Sequence, residues 1–160
     1  MTREITMRSP VSRDAQAMRQ LAIDSRVLSV NSTYYYALMA RMFGDTSLIA
    51  EEGGRLCGYV TAFRPPLQKN TIFVWQVGVA DWIQGKGIGK QMLNTIIKQQ
   101  QPEFLEASIA PDNLASRNLF TSVARQWGAD HVYEEPFFTV EDLGSQEGEE
   151  LLFRLGPLSY

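Results

Sequence analysis

The chain has 160 residues, a length that suits one domain with a hydrophobic core of its own. Apolar and charged residues make up 44% and 21% of it, which are ordinary fractions for a folded protein and exclude disordered and fibrous classes. The net charge is −3 and no Lys/Arg cluster is present, which argues against nucleic acid as the main partner. We therefore expect a single domain over residues 1–160.

The first strands and helices are predicted from hydrophobic periodicity and from turn residues. Alternation predicts a first strand at residues 5–8, and a helix with Ser12 as its N-cap then extends to about Leu28. Asn31 or Ser32 is expected to cap a second helix that ends at Gly44. Two strands at residues 47–51 and 55–63 follow, joined by a hairpin turn at Glu52-Gly53-Gly54.

Three consecutive tyrosines, Tyr34 to Tyr36, open the second predicted helix. Three neighbouring side chains on a helix cannot all point inward, so one or two must face a neighbour, a ligand or water. Two interpretations stay open: one ring packs while the others reach solvent, or the segment covers a substrate pocket.

The most informative stretch lies mid-chain and predicts a strand, a glycine loop and a helix. Apart from Gln76 and Gly78, residues 73–79 are apolar, β-branched or aromatic, as in a buried strand, and Gly78 marks a bulge or a close backbone approach. Alternating glycines at 85, 87 and 89 lead into apolar residues at helical spacing. Free N–H groups at such a helix start can bind a phosphate. The spacing fits neither the Walker loop nor the dinucleotide fingerprint.

The C-terminal part adds three strands and one helix. The strands are predicted at residues 104–109, 129–133 and 150–155, and the helix runs from Leu114 towards Ala124. A charged loop through Gly144 and Gly148 precedes the last strand. The order β, α, α, β, β, β, α, β, α, β, β predicts an α/β (α+β) protein whose mixed sheet of about six to seven strands carries helices on both faces.

The cysteine count and the first residues of the chain indicate the cellular compartment. Cys57 stands alone, which excludes an intrachain disulfide framework, and is expected to be a buried thiol. The first residues contain no signal-peptide core, and no apolar run reaches membrane-spanning length. A cytoplasmic protein with no membrane partner is expected.

The loop Gln84-x-x-Gly87-x-Gly89 resembles the pyrophosphate loop of the GCN5-related N-acetyltransferases (GNAT). The resemblance implies the GNAT fold, acetyl-CoA as co-substrate without a metal, and a β-bulge in the preceding strand whose backbone N–H polarises the thioester. Asn113 and Ser116 are expected to face the pantetheine arm, although Asn113 could equally be a plain helix cap. The residues implied to bind the cofactor are Val77, Val79, Gln84, Gly85, Lys86, Gly87, Ile88, Gly89, Lys90, Asn113 and Ser116.

Further segments resemble the L-2,4-diaminobutyrate acetyltransferases of ectoine synthesis. They are Leu28-x-x-Asn31-Ser32-x-Tyr34, Asp45-Thr46-Ser47, Phe63-Arg64-Pro65-Pro66, Phe73-Val74-Trp75-Gln76-Val77, Asn113-x-Ala115-Ser116-Arg117-x-Leu119-Phe120 and Glu150-Leu151-Leu152-Phe153-Arg154. This resemblance implies acetyl transfer to the 4-amino group of 2,4-diaminobutyrate, and a homodimer. The implied substrate contacts are Ser29, Asn31, Tyr34, Trp75 and Glu150.

The chain departs from that family at two places. Ser29 stands where an Asp is usual, and Glu147-Gly148-Glu149-Glu150 replaces a His-Glu-x-Glu run, so that only Glu150 is retained. Both changes fall on expected substrate contacts, so they bear on the identity of the acceptor amine and not on the type of reaction.

The reaction needs oxyanion donors, a proton acceptor and a donor or water for the leaving thiolate. The backbone near Val77 to Val79 is expected to supply the first. Glu106, a carboxylate in an apolar strand, is the candidate base, unless it pairs with a lysine or arginine. Phe120 stands where many GNAT members have a tyrosine acid, so Tyr34 or another of the three tyrosines, or water, is expected to protonate the thiolate.

Other interpretations stay open. Trp75 either forms an aromatic wall beside a cation or is plain core. His131 lies outside every motif and is expected to be an ordinary histidine. The same chemistry could serve another diamine, amino acid or protein amine, and the loss of a tyrosine at Phe120 leaves a non-catalytic acetyl-CoA-binding module as the alternative outside enzymes.

Overall fold

The structure is a computed structural model that describes residues 3–160, apart from the side chain of Glu134. It contains seven strands and five α-helices over that range. The strands are β1 Ile5–Arg8, β2 Leu48–Glu52, β3 Arg55–Phe63, β4 Thr71–Val79, β5 Phe104–Ile109, β6 His131–Phe138 and β7 Glu150–Leu155. The helices are α1 Ala15–Ser25, α2 Thr33–Met42, α3 Ile88–Gln100, α4 Leu114–Gln126 and α5 Val140–Leu143.

Two compact units divide the chain, and β4 contributes to both. The first unit comprises Met1–Phe63 and Trp75–Gln100, and the second comprises Arg64–Val74 and Gln101–Tyr160. The strands are hydrogen-bonded in the order β1-β2-β3-β4-β5-β7-β6. The expected single domain over residues 1–160 stays a prediction.

The first unit is built on an antiparallel meander. β1 pairs with β2, and β2 pairs with β3 through the predicted hairpin, where Gly53 and Gly54 have φ of +58° and +79°. These positive φ values suit a two-residue turn, which glycine adopts without strain. The hairpin prediction is therefore confirmed.

Helices cover both faces of β3. Gly58 faces Met92 of α3, whereas Tyr59 packs with Leu21 of α1 and Tyr36 of α2. Neighbouring strand residues point to opposite faces, so α3 lies on one side of the strand and α1 and α2 on the other. The buried cluster on the α1 and α2 side contains Ala15, Met18, Leu21, Ala22, Tyr36, Ile49 and Tyr59.

The second unit contains the parallel pairing that makes the sheet mixed. Residues 71–74 of β4 run parallel to β5, while β5 and β6 each pair antiparallel with β7. Parallel and antiparallel ladders in one sheet confirm the predicted fold class. None of the helices among the described residues is long and apolar enough to cross a membrane.

Several local predictions differ from the structure. Ser12 is not the cap of α1, because a short 3-10 turn occupies Ser12–Asp14 and α1 begins at Ala15. Asp14 shapes this turn: its carboxylate accepts from the Val11 N–H at 2.7 Å and from the Arg8 guanidinium. β6 begins at His131 and continues to Phe138, past its predicted end. Helix α5 was predicted as loop.

Gly78 is a point of close approach in β4. A Cβ atom there would lie 2.8 Å from a ring carbon of Tyr59 and 3.0 Å from a methyl group of Leu21. The register shifts described lie between β2 and β3 and between β6 and β7. The bulge in β4 therefore stays a prediction.

Candidate active site

The tyrosines at the start of α2 point in three directions. The Ser32 hydroxyl accepts from the Tyr35 N–H at 3.1 Å, which confirms Ser32 as the helix cap. Tyr34 is 75% exposed, Tyr35 is half-buried and Tyr36 is fully buried. One ring packs and one faces solvent, which confirms that the three do not share an environment.

Tyr36 belongs to a buried hydrogen-bonded group centred on Gln76. The Gln76 Oε1 accepts from the Tyr36 hydroxyl at 2.9 Å and from the Tyr59 hydroxyl at 2.6 Å. Its Nε2 donates to the Ser29 carbonyl at 2.7 Å. The strand is thereby linked to the segment between α1 and α2.

The Tyr35 ring lies against Trp75. Their centroids are 4.5 Å apart at 60°, an edge-to-face contact, and Phe63 packs against Trp75 from 6.4 Å. The Tyr35 hydroxyl shares a 3.0 Å hydrogen bond with Thr61, and burial raises its pKa above the usual range. Trp75 remains 53% exposed. It is therefore not plain core, and more than half of it is open to solvent.

The predicted substrate contacts of the segment between α1 and α2 are fixed through their backbone. The Ser29 carbonyl accepts from Gln76, and the Asn31 carbonyl accepts from Arg19 Nε at 3.1 Å. Ser29 is exposed and Asn31 is half-buried. The backbone at position 29 is thus held in place whichever side chain it carries.

The glycine loop lies between β4 and α3, as predicted, but Gly89 belongs to the helix and not to the loop. Gly85 and Gly87 have φ of +81° and +74°, which L side chains rarely adopt, and no atom lies within 4 Å of where their Cβ would be. Helix α3 begins at Ile88, with Gly89 buried and Lys90 half-buried. Gln84, Gly85, Lys86 and Gly87 are exposed. An open loop at the start of a 13-residue helix leaves N–H groups for an anion.

The strand before that loop carries the predicted oxyanion donors. Val77 and Val79 are both half-buried in β4. Beyond them, the Ala80 N–H donates to the Cys57 carbonyl at 2.8 Å, and Gln84 reaches back to Asp81. Cys57 itself is buried, as expected, and burial raises the pKa of its thiol.

In the second unit, Glu106 has a cationic partner. It is 5% exposed in β5, and its Oε2 accepts from Arg154 Nη1 at 2.5 Å. Arg154 also lies over the Phe104 ring, 3.8 Å from the centroid. This ion pair is the alternative that the sequence left open for Glu106, whose role as a base stays a prediction.

Glu150 is a second carboxylate in the same unit. Burial raises its pKa, the charges of Glu147 and Asp112 add to this, and a 3.3 Å hydrogen bond from the Ser108 hydroxyl opposes it. It is half-buried at the first position of β7, and a carboxylate with a perturbed pKa is a candidate for a functional site.

The residues expected near the pantetheine arm lie at the start of α4. Asn113 is an exposed N-cap whose Oδ1 accepts from the Ser116 N–H at 3.1 Å, and Ser116 is half-buried. Asn113 thus has a capping role whether or not it also contacts a ligand. Phe120 is 3% exposed and packs on Phe153, so this position belongs to the core.

Two groups were missed from sequence. The first is the hydrogen-bonded group around Gln76, which was quoted only as part of a motif. A glutamine inside an apolar strand is a usable signal, because a buried amide needs hydrogen-bond partners. Arg154 was likewise quoted only within a motif, and nothing in the sequence marked it as the partner of Glu106. Outside both groups, a cavity of about 280 Å³ near Arg55 and Trp82 contains none of the predicted site residues. Residues 3–160 contain no set of three His, Cys, Asp or Glu side chains placed to hold a metal.

Comparison with known proteins places the chain in a family. The acetyltransferase (GNAT) family model matches residues 15–124. L-2,4-diaminobutyric acid acetyltransferase from Shouchella clausii is 37% identical over 157 residues, covering 96% of this chain and 88% of the relative. The enzyme of that name from Marinococcus halophilus is 38% identical, covering 97% and 91%.

A solved structure agrees with these relatives. Diaminobutyrate acetyltransferase EctA from Paenibacillus lautus, in complex with L-2,4-diaminobutyric acid and coenzyme A, is 34% identical to this chain. Its structure superposes with a TM-score of 0.92, over 99% of this chain and 98% of the other. An acetyltransferase from Salmonella typhimurium with acetyl-CoA, 19% identical at a TM-score of 0.75, shares the fold.

Proposed function

The chain belongs to the acetyltransferase (GNAT) family and, within it, to the L-2,4-diaminobutyric acid acetyltransferases, and we propose that it transfers an acetyl group from acetyl-CoA to the 4-amino group of L-2,4-diaminobutyrate. The observation that carries this function is the likeness, over nearly the whole of both chains, to the Paenibacillus lautus enzyme with its substrate and coenzyme A. The glycine loop before α3 and the aromatic group around Trp75 are compatible with these two ligands.

The reaction sets the requirements for the site. The acceptor amine titrates near ~10 by analogy with lysine, so it must lose a proton before its lone pair attacks the thioester carbon. The carbonyl oxygen then carries negative charge. The C–S bond breaks, the thiolate of coenzyme A leaves, and the second proton of the nitrogen is released.

Backbone groups of the first unit suit the acetyl-CoA half of the reaction. The N–H groups near Val77 and Val79 are proposed to hold the carbonyl oxygen as charge develops on it, an interaction worth roughly 3–4 kcal/mol where one such donor has been removed from other enzymes. Residues 84–90, which form the loop and the start of α3, are proposed to bind the pyrophosphate at the positive end of this helix.

Trp75 is the proposed contact for the cationic substrate. Its ring packs with Tyr35 and Phe63 and remains 53% exposed, so part of its surface is open to an ammonium group. Ser29 and Asn31 are proposed to contact the amino acid from the segment before α2. Glu150 is proposed to bind the second amine, because it is a half-buried carboxylate whose pKa is raised, chiefly by burial.

Proton transfer is assigned to two further groups. Glu106 is proposed as the proton acceptor, with Arg154 holding the carboxylate in position. Tyr34 is proposed as the donor to the thiolate, since the hydroxyls of Tyr35 and Tyr36 are already bound to Thr61 and Gln76. Asn113 and Ser116 are proposed to face the pantetheine arm.

The cellular setting follows as part of the proposal. A homodimer in the cytoplasm, with a product that feeds ectoine synthesis, is proposed from the family resemblance. Residues 1–160 are proposed to act as one domain.

The test is release of free thiol from acetyl-CoA with 2,4-diaminobutyrate, ornithine, lysine and putrescine offered separately. Turnover with diaminobutyrate alone, giving the 4-acetyl product, is expected. Turnover only on another amine would overturn the acceptor, a concern that Ser29 and the replaced His-Glu pair raise. Binding of acetyl-CoA with no turnover would identify a non-catalytic module instead.

A further inference from the structure

The amide of Gln76 has a fixed orientation. The Ser29 carbonyl can only accept a hydrogen bond, so the atom 2.7 Å from it must be the Nε2 donor. Oε1 then faces the hydroxyls of Tyr36 and Tyr59, and both donate to it. Burial raises the pKa of Tyr59, which keeps that hydroxyl protonated. Every polar atom of the side chain is therefore satisfied in one arrangement.

This arrangement joins two parts of the proposed site. Gln76 directly precedes Val77, the proposed oxyanion donor, in β4. Its Nε2 holds the backbone of Ser29, within the segment that is proposed to contact the acceptor. The side chain is only 8% exposed, so water competes little for these bonds.

We propose that Gln76 is a positioning residue. It holds residues 28–31, the segment proposed to contact diaminobutyrate, against β4, the strand proposed to bind the reacting carbonyl of acetyl-CoA. Other bonds hold this segment within its own region: the Ser25 hydroxyl accepts from the Leu28 N–H, and Arg19 donates to the Asn31 carbonyl. The Gln76 bond adds a link to β4 itself. Tyr36 and Tyr59 contribute indirectly, because their hydroxyls fix the orientation of the Gln76 side-chain amide. This inference rests on the proposed function.

The sharpest test is Gln76→Glu, which keeps the shape of the side chain and both acceptors for the tyrosines. A carboxylate cannot donate to the Ser29 carbonyl and repels it. The KM for diaminobutyrate should rise about tenfold or more, the effect of losing one buried hydrogen bond, while the KM for acetyl-CoA stays within about twofold. Gln16→Glu, the same change at an exposed position of α1, is the matched control.

The pH dependence of the variant tests whether a neutral, donor-bearing side chain is needed at position 76. A buried glutamic acid regains a donor when it is protonated. The kcat/KM of Gln76→Glu relative to the natural enzyme should therefore rise as pH falls. A ratio that does not change with pH would overturn the proposal.

A second readout needs no catalysis. Amide hydrogen exchange in residues 27–31 should be faster in Gln76→Glu than in the natural protein, and unchanged in Gln16→Glu. Unchanged exchange together with an unchanged KM would overturn the positioning role. If the natural enzyme acetylates no diaminobutyrate, the proposed function fails, while the exchange experiment still decides whether Gln76 holds the segment.

Discussion

Glu106 and Arg154 are register partners on β5 and β7, and their side chains meet at 2.5 Å. Glu106 is almost completely buried, whereas Arg154 keeps partial contact with solvent and covers the Phe104 ring. A buried carboxylate is costly unless it is paired, so the arginine accounts for how Glu106 is tolerated in the sheet. It does not account for why an acid stands there at all.

The variant Glu106→Gln tests whether Glu106 acts as the general base of the reaction. Loss of a general base should lower kcat by about 100-fold or more, whereas the amide can still accept from Arg154 and should keep the thermal midpoint near that of the natural protein. Steady-state kinetics and thermal unfolding measure the two effects. Arg154→Met, which leaves the carboxylate unpaired, should cost about 1–3 kcal/mol of unfolding free energy. A kcat of Glu106→Gln within a few-fold of the natural value would show that the carboxylate serves Arg154 alone.

Trp75 offers a test of acceptor binding. Trp75→Leu removes the exposed ring and should raise the KM for diaminobutyrate about five- to tenfold, because a cation–π contact is worth about 1 kcal/mol at a partly exposed site. Trp82→Leu is the matched control: Trp82 is also partly exposed, and its cation–π partner is Arg55 at 4.6 Å. Equal KM values for the two variants would assign Trp75 to packing.

The elements with clear periodicity were predicted well from sequence. β1, β5 and β7 have the predicted bounds, since each is an uninterrupted alternating or apolar run between turn residues. The glycine loop was found because its positive φ values demand glycine. Helix α5 has four residues, too few to show a helical period.

What could not be predicted depends on partners distant in sequence. Gln76 bonds to residues 17, 40 and 47 positions away, and no local pattern records such contacts. Arg154 lies 48 residues from Glu106. Ser12 lost its predicted capping role because Asp14, bound to Arg8 from the first strand, shapes the turn instead. This third miss is local, because Asp14 lies only six residues from Arg8 and three from Val11.

Gly87 tests the proposed pyrophosphate loop. The methyl group added by Gly87→Ala has no atom within 4 Å, so the substitution should cost only the strain of a positive φ, about 1–2 kcal/mol of unfolding free energy. Its methyl group would also crowd an anion on the loop, and the KM for acetyl-CoA should rise about tenfold. Gly128→Ala, at φ +61° in an equally open turn, should show the same strain with an unchanged KM. Equal KM values would place the phosphate elsewhere.

The raised pKa of Glu150 predicts how the free energy of unfolding depends on pH. Its pKa is raised in the folded protein, chiefly by burial, so folding is favoured while the carboxyl is protonated and loses that contribution as pH rises through the folded-state pKa. Glu150→Gln stays neutral and can still accept from Ser108. Its unfolding free energy in urea should therefore equal that of the natural protein near pH 4 and exceed it at pH 7.5.

The control is Glu149→Gln, which removes one charge at the exposed neighbouring position. A gain for Glu150→Gln that is the same at both pH values, or that appears equally in the control, would contradict the prediction. A gain confined to neutral pH would show that the ionised Glu150 is held at a cost to stability. Such a carboxylate is expected to bind a cation from solution, and added diaminobutyrate should then stabilise the natural protein more than the variant.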